Sequence, residues 1–93
     1  MFELVLARIR RLFRDGEYVV TLHAWDEMED DGLSISDVEA CVSSGRIVER
    51  QRDQVTGEWK YRIAGRGDAA RDVEAVVKIG AAGKGVVITT YAL

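Results

Sequence analysis

The fold is decided by the stretch His23-Ala-Trp-Asp-Glu-Met28 and by its continuation Asp31-Gly-Leu-Ser-Ile-Ser-Asp-Val-Glu39. Thr21 precedes this stretch, and its hydroxyl can cap a helix that runs from about His23 to Asp31. Gly32 is the expected end of that helix, because glycine readily adopts the left-handed conformation with which many helices finish. The local sequence therefore predicts a helix–glycine–helix unit.

The second helix of this unit is predicted from Ser36 and Glu39, which have the S-x-x-E spacing of a capping box. In that motif the hydroxyl and the carboxylate each satisfy a backbone N–H of the first turn. The helix is expected to run to about Ser44 and to end at Gly45. Cys41 falls in its middle and is expected to be a small buried apolar residue.

A further helix is predicted upstream, over residues 2–14, where apolar residues recur at helical spacing and arginines fill the remaining arc. Asp15-Gly16 is expected to end it. The segment Tyr18-Val-Val-Thr-Leu22 is rich in β-forming residues, so it is either a short strand or an extended lead-in to the next helix. The apolar residues of the first helix are Phe2, Val5, Leu6, Ile9, Leu12 and Phe13.

After Gly45 the pattern changes from helical to alternating, which is typical of strands. We predict an α+β fold, with the N-terminal helices packed on one face of an antiparallel sheet of about four strands, in a single domain over residues 1–93. The predicted strands and turns are the strand 46–53, the turn 54–57, the strand 58–63, the strand 73–79, the turn 81–85 and the strand 86–91.

The composition is that of one soluble domain: the chain has 93 residues, of which 47% are hydrophobic and 31% are charged. Cys41 is the only cysteine, so no internal disulfide can form and the fold needs no oxidising compartment. No apolar run reaches the roughly 18 residues that span a bilayer. Arginines interrupt the N-terminal apolar residues, unlike in a secretory signal. We therefore expect a cytoplasmic protein with no membrane partner.

Charge is strongly segregated along the chain, although the net charge is only −3. Residues 23–40 contain seven acids and no lysine or arginine, whereas residues 46–66 contain six bases against three acids. Residues 8–14 add four arginines. Such asymmetry indicates either a nucleic-acid surface or ordinary solvated faces.

Five short motifs give the chain a resemblance to a known family. The motifs are His23-Ala-x-x-x-Met28-x-x-x-Gly32-Leu-Ser, Asp37-Val38, Gly45-Arg-Ile-Val, Trp59-Lys-Tyr61 and the final Val-Ile-Thr-Thr-Tyr91. In order and spacing, these motifs, over about residues 18–91, resemble the small bacterial domain-of-unknown-function family 4258.

The resemblance implies a fold related to the barnase, EndoU, colicin and RelE-like ribonucleases. It also implies a toxin of a type II toxin–antitoxin pair, with RNA as substrate and an antitoxin, in some cases carrying a zinc-binding domain, as partner. Many members have arginine at the positions of Glu27 and Asp31, which are acidic here. An acidic helix repels phosphate, so either RNA binds elsewhere, on the hairpin, or this chain has another role.

Metal-independent RNA cleavage needs a base for the 2′-hydroxyl, positive charge at the phosphate and a proton for the leaving oxygen. One histidine, one cysteine and no suitable carboxylate spacing predict neither a metal site nor a cofactor. Glu49 or His23 is the candidate base, and Tyr61 or Tyr91 can stack on a base or supply a hydroxyl. The candidate catalytic residues are therefore His23, Glu49, Lys60 and Tyr91, and the candidate RNA-binding residues are Arg50, Arg52, Arg62 and Lys78.

Each candidate also has a structural interpretation. Alternating charges on a sheet commonly form cross-strand pairs, and Tyr61 lies in the same alternation as core residues. His23 is either an acid–base group or a ring that bonds between helix and sheet. Trp25 and Met28, on the same helix, are expected to be packing residues.

Two classes of function follow from the sequence, a toxin-like ribonuclease and a non-catalytic protein-binding module, and the residues alone do not establish that the chain is an enzyme. An acidic mimic of nucleic acid is a third option, because the acids cluster on one segment. An open strand edge of so small a sheet also permits a homodimer.

Overall fold

The protein consists of three helices and one five-stranded sheet, which the computed structural model describes over residues 1–93. The elements in chain order are α1 (Glu3–Arg14), β1 (Tyr18–Val20), α2 (Leu22–Asp31), α3 (Ile35–Ser44), β2 (Arg46–Arg52), β3 (Trp59–Arg66), β4 (Asp72–Ile79) and β5 (Gly85–Ala92). The strand order is β1-β5-β4-β3-β2, with β1 parallel to β5 and the other neighbours antiparallel. The predicted α+β class is confirmed. The sheet has one strand more than predicted, because Tyr18–Val20 pairs with β5.

Buried side chains from all three helices meet the same face of the sheet, as predicted. Of the two expected packing residues of α2, Met28 is buried in the core, whereas Trp25 is 47% exposed and lies outside it. None of the helices has both the length and the apolar composition that crossing a membrane requires. The core consists of Ile9, Phe13, Ala24, Met28, Leu33, Val38, Cys41, Val42, Ile63, Val73, Ala75, Val77 and Val87.

The helix–glycine–helix unit forms by the local chemistry of its caps. Thr21 caps α2 by accepting a hydrogen bond from the backbone N–H of Ala24, and Gly32 ends the helix at φ 67°, both as predicted. The capping box of α3 differs, since its members are Ser34 and Asp37 rather than Ser36 and Glu39. Both pairs have the same spacing, and the extended backbone at Ser34 places the helix start two residues earlier.

Two β-bulges shift the alternation of side chains along the sheet. In β2 the register slips at Val48, so Ile47 faces the core whereas Glu49 points to the opposite side. In β5 the register slips at Ile88, so Val87 faces the core. Tyr91, which is paired in register with Glu74, faces the opposite side of the sheet. Bulges commonly re-aim side chains next to functional sites.

Two carboxylates of α2 cover the edge of β5 beyond the residues that pair with β1. Oε1 of Glu27 accepts the backbone N–H of Thr90 at 3.3 Å, and Oδ2 of Asp31 accepts that of Ala92 at 2.8 Å. The two carboxylates thus satisfy donors of a strand edge that would otherwise stay open. Glu27 and Asp31 have a structural role in this chain.

Arg10 links α1 to the end of α3 by two hydrogen bonds, and we expect its substitution to lower the free energy of unfolding. Its Nε donates to the carbonyl of Val42 at 3.1 Å and one Nη to that of Gly45 at 2.6 Å. Because both carbonyls lie at a helix end and lose a charged donor, Arg10→Ala should lower the free energy of unfolding by about 1–3 kcal/mol. Urea denaturation measures this. Arg11→Ala is the control, because Arg11 is exposed. An equal loss of unfolding free energy in both variants would contradict the role of Arg10 in linking the two helices.

Candidate active site

The face of the sheet opposite the helices, called the open face below, gathers most of the polar residues of the strands. Alternation along β3 and β4, together with the two bulges, places these side chains on it. It carries residues from four strands, so groups far apart in the sequence become neighbours. The open face includes Glu49, Lys60, Arg62, Glu74, Lys78, Thr89 and Tyr91.

At its centre lies the Arg62 network, formed by Glu49, Arg62, Glu74 and Tyr91. Nε of Arg62 donates to Oε1 of Glu49 at 3.1 Å, and Nη1 donates to Oε1 of Glu74 at 2.9 Å. The phenol of Tyr91 donates to the same Glu74 oxygen at 2.7 Å. A carboxylate, a guanidinium and a phenol thus meet around one buried acid.

Glu74 is only 9% exposed and is ionised under ordinary conditions. The hydrogen bond from Tyr91 lowers the pKa of Glu74 most, the bond from Arg62 lowers it further, and burial opposes both. The same bond to Glu74 raises the pKa of Tyr91, so the phenol keeps its proton at neutral pH. Glu74 therefore fixes the orientation of both partners without exchanging protons itself.

Two lysines stand directly opposite each other on the open face, Lys60 on β3 and Lys78 on β4. The charge of Lys78 is neutralised by Glu58, whose Oε1 accepts from Nζ at 2.8 Å. Lys60 forms no ion pair and no hydrogen bond, and it is the cation of this face that stays free to bind an anion.

His23 lies at the start of α2, away from the centre of the network. It is solvent-exposed, and its Nε2 is 3.2 Å from Oε1 of Glu27, which also accepts from the hydroxyl of Thr89. Neither His23 nor Glu27 forms a hydrogen bond or an ion pair with any member of the Arg62 network. The structure therefore does not bring His23 together with Glu49.

Arg50 and Arg52 lie on the helix side of the sheet, paired in register with Tyr61 and Trp59. Their guanidinium carbons stand 4.0 and 4.3 Å from the centre of the Trp59 ring. Arg50 and Arg52 therefore do not share a face of the sheet with Lys60 and Arg62, although the sequence names all four as candidate site residues. The bulge at Val48 sets the phase of β2 so that its arginines point away from Arg62.

Cys41 is buried, as predicted, and belongs to the core rather than to the open face. Burial raises the pKa of the Cys41 thiol to about 11, so it stays protonated and unreactive. Its Sγ donates to the carbonyl of Val73 at 3.3 Å. No group of three or more His, Cys, Asp or Glu side chains is placed to hold a metal ion.

The structure thus brings Glu49, Arg62 and Tyr91 together and places Lys60 on the same face. It also shows Glu74, which the sequence reasoning did not name. A signal for it was present, because Glu74 is the charged residue between the apolar Val73 and Ala75 in a strand.

Comparison with protein families matches residues 20–92 to the family described as Domain of unknown function (DUF4258). The match takes in α2, α3, the four later strands and the whole Arg62 network, whereas α1 precedes it. No curated protein and no solved structure matches the chain.

Proposed function

This chain belongs to the DUF4258 family, and from that premise we propose that it is a toxin-like ribonuclease of a type II toxin–antitoxin pair that cleaves RNA without a metal. The observation that carries the proposal is the Arg62 network, in which a base, a cation and a hydroxyl meet on a sheet face that the helices leave uncovered. The RelE-like relationship implied by the sequence resemblance supports the same reaction class.

Arg62 and Lys60 are the proposed phosphate-binding groups. Two nitrogens of Arg62 are occupied by carboxylates, which leaves its other terminal nitrogen to donate to a phosphate oxygen. Lys60 stands two residues away on the same face of β3, with its ammonium group unpaired. Fixed cations next to a scissile phosphate stabilise the charge that develops in the transition state.

Glu49 is the proposed base and Tyr91 the proposed acid. Glu49 takes the proton of a 2′-hydroxyl, whose oxygen attacks the phosphorus. The bond from phosphorus to the 5′-oxygen then breaks, leaving a 2′,3′-cyclic phosphate, and Tyr91 gives its proton to the departing oxygen. Glu74 holds Tyr91 and Arg62 in place. His23 lies outside this centre, and in this scheme it contacts flanking RNA.

Induced expression in a bacterial host tests the proposal. The unaltered chain should arrest growth and fragment RNA, whereas Tyr91→Phe should lower the cleavage rate by about a hundredfold, since one proton-transfer group is lost. Tyr61→Phe is the matched control, because the Tyr61 hydroxyl has no hydrogen-bond partner and the ring packs against Phe2 on the helix side. RNA fragmentation is read on gels and growth by optical density.

Normal growth with intact RNA, at high levels of folded soluble protein, would contradict the ribonuclease proposal. Equal rates in Tyr91→Phe and the unaltered chain would remove Tyr91 from the mechanism. Glu49→Gln and Lys60→Ala extend the comparison of cleavage rates to the proposed base and to the lysine that has no ion pair.

The second candidate, a non-catalytic protein-binding module, is favoured by the charge balance of the open face. Arg62 and Lys78 are already neutralised by carboxylates, so only Lys60 is left to attract phosphate. A binding module should form a stable complex with the product of a neighbouring gene and should cause no RNA fragmentation. Under the first proposal the same gene product would be an antitoxin. The expression experiment separates the two.

A further inference from the structure

The outer side of α1 forms a continuous basic surface, the α1 basic face. It lies opposite the buried Ile9 and Phe13, because a helix has about 3.6 residues per turn. None of its arginines forms an ion pair, and its leucine is 89% exposed. The members of the α1 basic face are Leu4, Ala7, Arg8, Arg11 and Arg14, all of them exposed.

The outer side of α2 forms a surface of opposite sign, the α2 acidic face. It lies opposite the buried Ala24 and Met28 of the same helix. Its three carboxylates form no ion pair, and its leucine is 83% exposed. The members of the α2 acidic face are Leu22, Trp25, Asp26, Glu29 and Asp30.

We propose that the α1 basic face of one copy docks on the α2 acidic face of a second copy of this chain. Each face has three like charges without a partner and at least one large exposed apolar side chain, and the charges of the two faces are opposite in sign. Leu4 can pack against Leu22 and Trp25, and an arginine can stack on the indole ring. The matching surface is present on the chain itself, which makes a second copy the occupant that the charges fit.

Both helices pack on the side of the sheet opposite the open face, so this contact leaves the Arg62 network accessible. The helices have 12 and 10 residues, so one contact is short and weak. Two copies that engage both faces around a two-fold axis double the contact, whereas single contacts extend into chains. α1 precedes the family match at residues 20–92, so only one of the two faces, the α2 acidic face, belongs to the matched region.

Sedimentation velocity with charge-reversed variants tests the proposal. The mean mass of the unaltered chain should rise with concentration and fall with added salt, because salt screens the charges. Arg8→Glu with Arg11→Glu, and separately Asp26→Lys with Asp30→Lys, should each weaken self-association at least about tenfold by placing like charges opposite each other. An equimolar mixture of the two double variants should associate again, because opposite charges then face each other in both contacts.

Arg46→Glu is the matched control, since Arg46 is an exposed arginine without an ion pair outside both faces, and it should leave self-association unchanged. The proposal is overturned if the unaltered chain is monomeric throughout, or if the folded double variants fail to associate when mixed. It is also overturned if reversal of the α1 charges abolishes binding of single-stranded RNA but leaves self-association intact. Tyr91→Phe should still self-associate, which keeps this test separate from that of the ribonuclease.

Discussion

Gly65→Ala is expected to lower the free energy of unfolding by about 4 kcal/mol or more, or to prevent folding altogether. A Cβ atom at residue 65 would lie 2.3 Å from the carbonyl oxygen of Cys41 and 2.9 Å from the Cα of Gly45. Both are backbone atoms, so no side-chain rotation can relieve the collision. The end of α3 would have to move away from β3 and open the core around Cys41.

Thermal or urea denaturation of purified protein measures this effect, and the soluble yield serves if the variant does not fold. Gly16→Ala is the control, because Gly16 has φ +72° but open space around it. It should cost only about 1–2 kcal/mol, the penalty of a left-handed alanine. An equal loss of unfolding free energy in Gly65→Ala and Gly16→Ala would contradict the close contact between the backbones of α3 and β3 at Gly65.

Local chemistry explains which parts of the fold could be predicted from the sequence. The caps Thr21 and Gly32 act within a few residues, so the helix–glycine–helix unit was predictable to within two residues. Ser34 and Ser36 both have an acid three residues later, and the choice between them depends on the conformation of the chain entering the helix. Sequence spacing alone does not determine that conformation.

Long-range pairing explains what could not be predicted. The parallel pairing of Tyr18–Val20 with β5 joins segments about two thirds of the chain apart. The bulges at Val48 and Ile88 depend on how neighbouring strands fit, and each reverses the face of every following side chain. For this reason the sequence named Arg50 together with Arg62 as an RNA-binding residue, although the structure places the two on opposite sides of the sheet.

The same reasoning applies to the candidate site. Glu49, Arg62 and Tyr91 could be named because their chemistry suits RNA cleavage. Glu74 could not, since its role depends on partners 12 and 17 residues away on two other strands. A charged residue between buried neighbours of a strand is a useful signal only once the register of the sheet is known.

Glu74→Gln is expected to lower the free energy of unfolding at neutral pH by about 2–3 kcal/mol, because two hydrogen bonds lose their charged acceptor in a nearly buried position. The neutral amide also leaves the guanidinium of Arg62 with one carboxylate instead of two. Urea denaturation at pH 7 measures the loss. Glu58→Gln is the control, since Glu58 forms a single ion pair with Lys78 in a more exposed position and should lose much less.

The loss in Glu74→Gln should depend on pH in a defined direction. The pKa of Glu74 is lower in the folded chain than in the unfolded one, where a glutamate has a pKa of about 4.3. Its ionic contribution to stability is therefore complete above that value and disappears as the pH falls through the folded pKa. The stability difference between the unaltered chain and Glu74→Gln should be constant from neutral pH down to about pH 5 and shrink in more acidic solution. A difference that grew on acidification would show that Glu74 is not held as a carboxylate.

The ribonuclease proposal predicts that Glu74→Gln loses activity at pH 7 although it remains mostly folded, since Glu74 positions Arg62 and Tyr91 without touching RNA itself. The binding-module alternative predicts lost stability with no RNA fragmentation in either protein. Raising the pH cannot restore the variant, because glutamine does not ionise, whereas Glu74→Asp keeps the charge and should recover part of both stability and activity. Recovery of stability without activity would separate the structural role of Glu74 from its role in positioning the two proposed catalytic partners.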